Sequence, residues 1–191
     1  MASTFPTSLD TFTNPTATSL LTSPSHSLSH SDLNDAVEAL EAKVAIGNTV
    51  LGTYQAWTPT AIGWTIGNGT WSAFYARVNN LVHVYGTFTF GSTSAISTAL
   101  IISGLPVGID STMISGGGSG SDFVIGECTF QQTATNNFHG FVASNGPAQI
   151  KLNVANASST YVKTTYITGP TIPFTWATGD YFRFSAFYEA A

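Results

Sequence analysis

The sequence predicts a mainly β protein: an antiparallel β-sandwich head of jelly-roll type, preceded by one short helix and an extended N-terminal arm. Three observations carry this. From about Thr53 onward, apolar and polar residues alternate with period two between clusters of Gly and Asn, the pattern of half-buried strands. A helical 4-3-4 spacing of apolar residues stands out over Leu33, Val37, Leu40 and Val44. Ahead of it, residues 1–31 hold fifteen Ser or Thr, three Pro and one acid, Asp10. Such a stretch cannot bury enough apolar surface to fold by itself. The expected divisions are an arm over 1–31, a helix over 32–47 and a head over 52–191.

The arm is more apolar than a spacer requires. Phe5, Leu9, Phe12, Leu20, Leu21 and Leu28 are spread along it, and they read as anchors for an arm that orders on a partner surface. The bland alternative is a flexible tail.

For the helix, Ser31 or Asp32 is the expected N-cap, with Asp32 and Asp35 near the positive end of the dipole. Gly47 suits the left-handed position that ends a helix. Leu33, Val37, Leu40 and Val44 form the oligomerisation seam, and Ala36, Ala39 and Ala42 keep its flanks slim. Two heptads are too short to hold as an isolated coiled coil. The stripe therefore packs either on its own β-domain or in a short parallel bundle of copies supported by the heads. Valine at a with leucine at d leans towards two chains.

Strands are expected over residues 71–78, 81–90, 98–103, 122–131, 138–143, 148–154, 161–167 and 180–188. Asn79-Asn80 forms a two-residue hairpin turn between the first two, since Asn tolerates positive φ. In the last strand Phe182 and Phe184 face one side, and Tyr181, Arg183 and Ser185 the other.

Charge narrows the function. Charged residues are 8% of the 191, and the net charge is −5, where roughly 25% charged residues are usual. Four of the ten acids fall in the helix region, leaving five acids against four bases in the head. No basic face exists to neutralise phosphates, so a nucleic-acid partner is not expected. A surface this poor in charge fits a component of a larger assembly. Cys128 is the single cysteine, which excludes an intrachain disulfide. No run of about 20 apolar residues is present, so membrane insertion is not expected. The N-terminal residues lack the basic and apolar regions of a signal peptide, so the chain is expected to be made in a cytoplasm and not exported by the general secretory route.

No catalytic constellation emerges. His26 and His30 have the i, i+4 spacing of two helical metal ligands, but they precede the expected N-cap in a Ser-rich stretch without other Cys or His nearby. No metal site is expected there. His83 lies opposite Val82 and Val84, as a solvent or interface histidine would. No Gly-x-Ser-x-Gly elbow is present, and Gly118-Ser119-Gly120-Ser121 reads as a flexible loop. The head's carboxylates are scattered, giving no sign of a glycosidase pair, and nothing resembles a phosphate loop or an EF-hand. The reading is not an enzyme, with no cofactor. Aromatic rings are the better recognition candidates, because they stack on the apolar faces of sugars. Trp64, Trp71 and Tyr75 are the candidate glycan contacts, weighed against the alternative that these rings fill the core.

The run from Ser25 to Val44, SHSLSHSDLNDAVEALEAKV, resembles a segment of virion proteins of tailed bacteriophages, described as minor tail proteins, fibres or head decorations. The likeness continues through Trp57-Thr58-Pro59-Thr60, Ile66-Gly67-Asn68-Gly69-Thr70, the strand from Val82 to Phe90 with Gly91-Ser92-Thr93, and Trp176-Ala177-Thr178-Gly179-Asp180. It implies a homotrimer on the virion surface, fixed to other virion proteins of the capsid or tail by its arm and displaying the head outward. It supplies no catalytic residues. The chain lacks the extended shaft of longer fibres between helix and head. A second reading is a receptor-binding module for host-surface glycan, and a distant third a polysaccharide-degrading enzyme.

Overall fold

The computed structural model describes residues 26–44, 53–114, 123–133, 135–156, 163–166 and 171–191. The chain divides into two compact units, Met1–Thr53 and Tyr54–Ala191. The first contributes helix α1 (His26–Val44), which has 19 residues.

α1 starts earlier than its expected N-cap. Ser31 and Asp32 are interior helical residues, and no acid lies in the first turn. The reason is local: between Pro24 and Gly47 the sequence contains neither Pro nor Gly to stop a helix. Asp32 and Asp35 therefore do not lie in the first turn, where the dipole was expected to favour them. Leu28 belongs to α1 and not to the arm. Gly47 and the arm anchors Phe5, Leu9, Phe12, Leu20 and Leu21 lie outside the described residues.

The second unit is a curled antiparallel sheet, sandwich-like in form. Its strands are β1 (Gln55–Ala56), β2 (Thr60–Thr65), β3 (Thr70–Val78), β4 (Leu81–Thr89), β5 (Ala95–Ser103), β6 (Val124–Gln132), β7 (Asn136–Gly146), β8 (Gln149–Asn156), β9 (Lys163–Tyr166) and β10 (Tyr181–Glu189). They are hydrogen-bonded in the order β1-β3-β4-β10-β6-β7-β8-β5-β2, with β9 beside β8. One edge of β8 serves two partners in turn: Gln149–Lys151 pairs with β5 and Asn153–Asn156 with β9. The C-terminal strand β10 sits between β4 and β6.

The alternation read from sequence decides which face is buried. Val82, Val84 and Phe88 of β4 and Phe182, Phe184, Ala186 and Tyr188 of β10 point into the core, joined by Phe130, Leu100, Ile102, Ile150 and Leu152. At about 25 cal/mol per Å² of apolar surface, this is the main stabilising term of the head. Curling brings the two ends of the strand order face to face. Trp64 of β2 packs against Trp71 of β3 (5.8 Å between ring centres), Phe88 of β4 (4.7 Å) and Phe182 of β10 (5.8 Å). β2 and β3 are thus consecutive in chain but lie in opposed layers.

The link between those layers is clasped. Asn68 Oδ1 accepts from Thr93 N and Thr93 Oγ1, both at 2.9 Å, and Asn68 N donates to Thr93 Oγ1 at 2.9 Å. A Cβ on Gly69 would meet Phe88 Cζ at 2.2 Å, and one on Gly91 would meet Asn68 Oδ1 at the same distance. Only glycine permits this approach. At the same end of β4, Asp180 is buried beside Phe90, whose N–H donates to the Asp180 carbonyl at 2.8 Å. The Asp180 carboxylate accepts from Thr133 N (2.8 Å) and Ala177 N (2.7 Å), tying the loop before β10 to the end of β6.

Candidate functional site

Two surfaces stand out, one on each unit. On α1 the seam lies open: Leu33 is 56% exposed, Val37 45% and Leu40 53%. Val44 is the last helical residue. A helix of this length gains little from its own hydrogen bonds and depends on burying an apolar face. His26 and His30, which the sequence reading placed ahead of the helix, both lie on it, with exposed rings and Nε2 atoms 3.1 Å apart.

The second surface is the outer face of β3, β4 and β10. Side chains opposite the core residues form a group of rings: Phe74, His83, Tyr85 and Phe187, with Tyr54 beside them. His83 and Phe187 face each other across β4 and β10, stacked at 4.1 Å with planes 7° apart. Tyr85 stacks on Phe74 at 5.4 Å, and Tyr54 meets Tyr85 edge-on at 5.0 Å. The Tyr54 hydroxyl lies 2.6 Å from His83 Nδ1, and Ser185 Oγ lies 2.9 Å from His83 Nε2. In a neutral imidazole one nitrogen donates and the other accepts, and the two hydroxyls satisfy either tautomer. Partial burial pushes the His83 pKa down from its ordinary value. Leu81, Val78 and Val124 add exposed apolar surface in the same half of the molecule.

Ser185 and His83 have the distance of a nucleophile and its base, but their neighbours differ from those of a hydrolytic triad. The third partner is a phenol, which cannot stabilise an imidazolium as a carboxylate does. Ser185 sits mid-strand in β10, paired with Tyr85 on one side and Glu127 on the other. Backbone N–H groups there are engaged in the two ladders, so they form no oxyanion hole.

Of the expected glycan contacts, one is a core residue and two are half-buried. Trp64 is only 6% exposed; it is a core residue whose Nε1 donates to Ile101 O at 2.9 Å. Trp71 is half-buried and packs on Phe88 and Phe182. Tyr75 is half-buried against the core, with its hydroxyl donating to Gln55 Oε1 at 3.0 Å. Trp64 is spent on closing the curled sheet, whereas Trp71 and Tyr75 share in that packing and stay partly exposed. Sequence reasoning did not single out Tyr54, Tyr85 and Phe187 as a group; Tyr54 and Phe187 are exposed and Tyr85 is half-buried. The alternation of β10 held the outward direction of Phe187, but its pairing with His83 depends on a strand about one hundred residues away. Among the described residues no group of three or more His, Cys, Asp or Glu is placed to hold a metal, and no helix is long and apolar enough to cross a membrane.

No family model, curated protein or solved structure matches this chain.

Proposed function

We propose that the protein is an oligomeric structural component of a tailed-phage particle, anchored by its N-terminal arm and displaying the β-head. The observation that carries the reading is the open seam of α1. Three branched apolar side chains at heptad spacing face solvent on a helix whose stability depends on packing that face, and a like helix in register is the partner that matches them. The scarcity of charge and the Ser/Thr-rich arm support assembly into a larger body. The likeness of residues 25–44 to phage virion proteins supplies the kind of body and the trimer.

Light scattering on the purified chain tests the assembly. An oligomer is expected at micromolar concentration, and Leu33→Ser with Leu40→Ser is expected to shift it to monomer while the head keeps its β spectrum. A monomeric native chain would sink the bundle. Electron microscopy of particles carrying a tagged copy tests the location, and absence of tag density from capsid and tail would remove the virion role.

Glycan recognition is the second reading, and the outer rings around Tyr54 and Phe187 favour it over the tryptophans first considered. Phe187→Ala should then abolish binding of the chain to host cells, while Trp64→Phe should not.

A further inference from the structure

His26 and His30 continue the seam. Seven residues before Leu33 stands His26, and seven before Val37 stands His30, so the pair occupies the heptad positions of the apolar residues that follow. In a bundle of copies this is the layer nearest the arms, and both imidazoles would face the axis. A polar pair at such a position weakens a purely apolar seam. Its geometry suggests what offsets that cost.

The two Nε2 atoms are 3.1 Å apart, with ring centres 4.4 Å apart and planes crossed at 81°. At this distance one Nε2–H donates to the lone pair of the other. A divalent ion held about 2.0–2.1 Å from each nitrogen would subtend a ligand angle of roughly 100°. That value lies between the octahedral and tetrahedral angles, so the pair can chelate with little backbone movement. The Nε2 proton of the donating ring then moves to its own Nδ1, leaving two neutral rings with both Nε2 lone pairs on the ion. One chain supplies two ligands only; two copies supply four and three supply six.

We propose that His26 and His30 of neighbouring copies together bind a transition-metal ion of the Zn²⁺ class at the arm end of the helix bundle. This rests on the bundle reading above. All-imidazole coordination selects Zn²⁺, Co²⁺, Ni²⁺ or Cu²⁺ over Mg²⁺ and Ca²⁺, which prefer oxygen ligands. The ion holds the N-terminal ends of the helices in register where the apolar seam stops.

The test uses the full-length chain, freed of metal with a chelator. Zn²⁺ binding is followed by calorimetry, Co²⁺ by its visible absorption, and assembly by light scattering with and without Zn²⁺. The expected result is one ion per two or three chains, and an oligomer that persists on dilution where the metal-free chain dissociates. Each single variant, His26→Ala or His30→Ala, should weaken Zn²⁺ binding at least tenfold. The double variant should lose binding, yet remain oligomeric at high concentration because Leu33, Val37 and Leu40 are intact. An oligomer that binds no Zn²⁺ overturns the metal site and leaves the bundle standing. One ion per chain on a monomer overturns both, as does a monomer that binds none. Binding unchanged in the double variant places the ion elsewhere and overturns the proposal.

Discussion

Single side chains in this head separate by whether their polar atom found a partner on burial. Trp64 and Trp71 meet in the same aromatic cluster, but Trp64 Nε1 has Ile101 O, whereas the buried Nε1 of Trp71 has no acceptor. Changing either residue to Phe removes similar ring volume. Trp64→Phe also removes a buried hydrogen bond, so it should destabilise by about 1 kcal/mol more than Trp71→Phe. Denaturant unfolding of the two variants measures the difference, and equal losses would refute it. His83 offers a second test at this scale. Its pKa is lowered below the ordinary 6.5 by burial, so between the two values the unfolded chain binds the proton that the folded chain refuses. Stability is therefore full above the ordinary value and falls as pH drops through the folded one. Thermal unfolding followed from about pH 7.5 to about pH 5 should show this loss, and His83→Gln should reduce its slope. The side chains facing His83 are those of Tyr54, Ser185, Tyr85 and Phe187. An unchanged slope in the variant would assign the dependence elsewhere.

Elements were legible where local chemistry settles the conformation. The Asn79-Asn80 turn is an example: Asn79 adopts φ 55°, and Val78 pairs with Leu81 across it. The alternation of β4 and β10 placed their core residues correctly for the same reason, since period two is a property of the backbone. β1 and β2 were not legible. β2 carries a bulge, with its register to β5 shifting between Ile62 and Trp64 and Gly63 at φ 80°. An inserted residue breaks the alternation that identifies a strand, and in the sequence Gly63 resembles a turn. A side chain at Gly63 would also place Cβ 2.5 Å from Thr98 Oγ1 and 2.8 Å from Ala99 O. Gly63→Ala should thus cost about 1–3 kcal/mol, through backbone strain and displacement of β5. A loss within error of zero in denaturant unfolding would show that the bulge can move. The helix was legible in its seam and not in its start. With the start placed at Ser31, the heptad positions of His26 and His30 went unread.

Across the whole head, the connectivity makes β10 indispensable. β10 lies between β4 and β6, so neither half of the sheet closes without it. Most contacts that define the sandwich join residues far apart in sequence, a topology that favours folding as one unit rather than by local pieces. Cys128 reports on this. It stands in β6 opposite Phe184 of β10 and Gly140 of β7, is buried, and has its thiol pKa pushed up by that burial. A thiol reagent needs the thiolate and needs access. Neither is present until β6 separates from its neighbours. In native buffer the full chain should therefore be labelled about a thousandfold or more slowly than in denaturant, in step with the population of the open state. A chain ending at residue 180 lacks the strand that covers Cys128 on one side and should be labelled at the denatured rate. Slow labelling of that truncated chain would mean that β6 and β7 form a stable sheet without β10, and that the head is not a single cooperative unit.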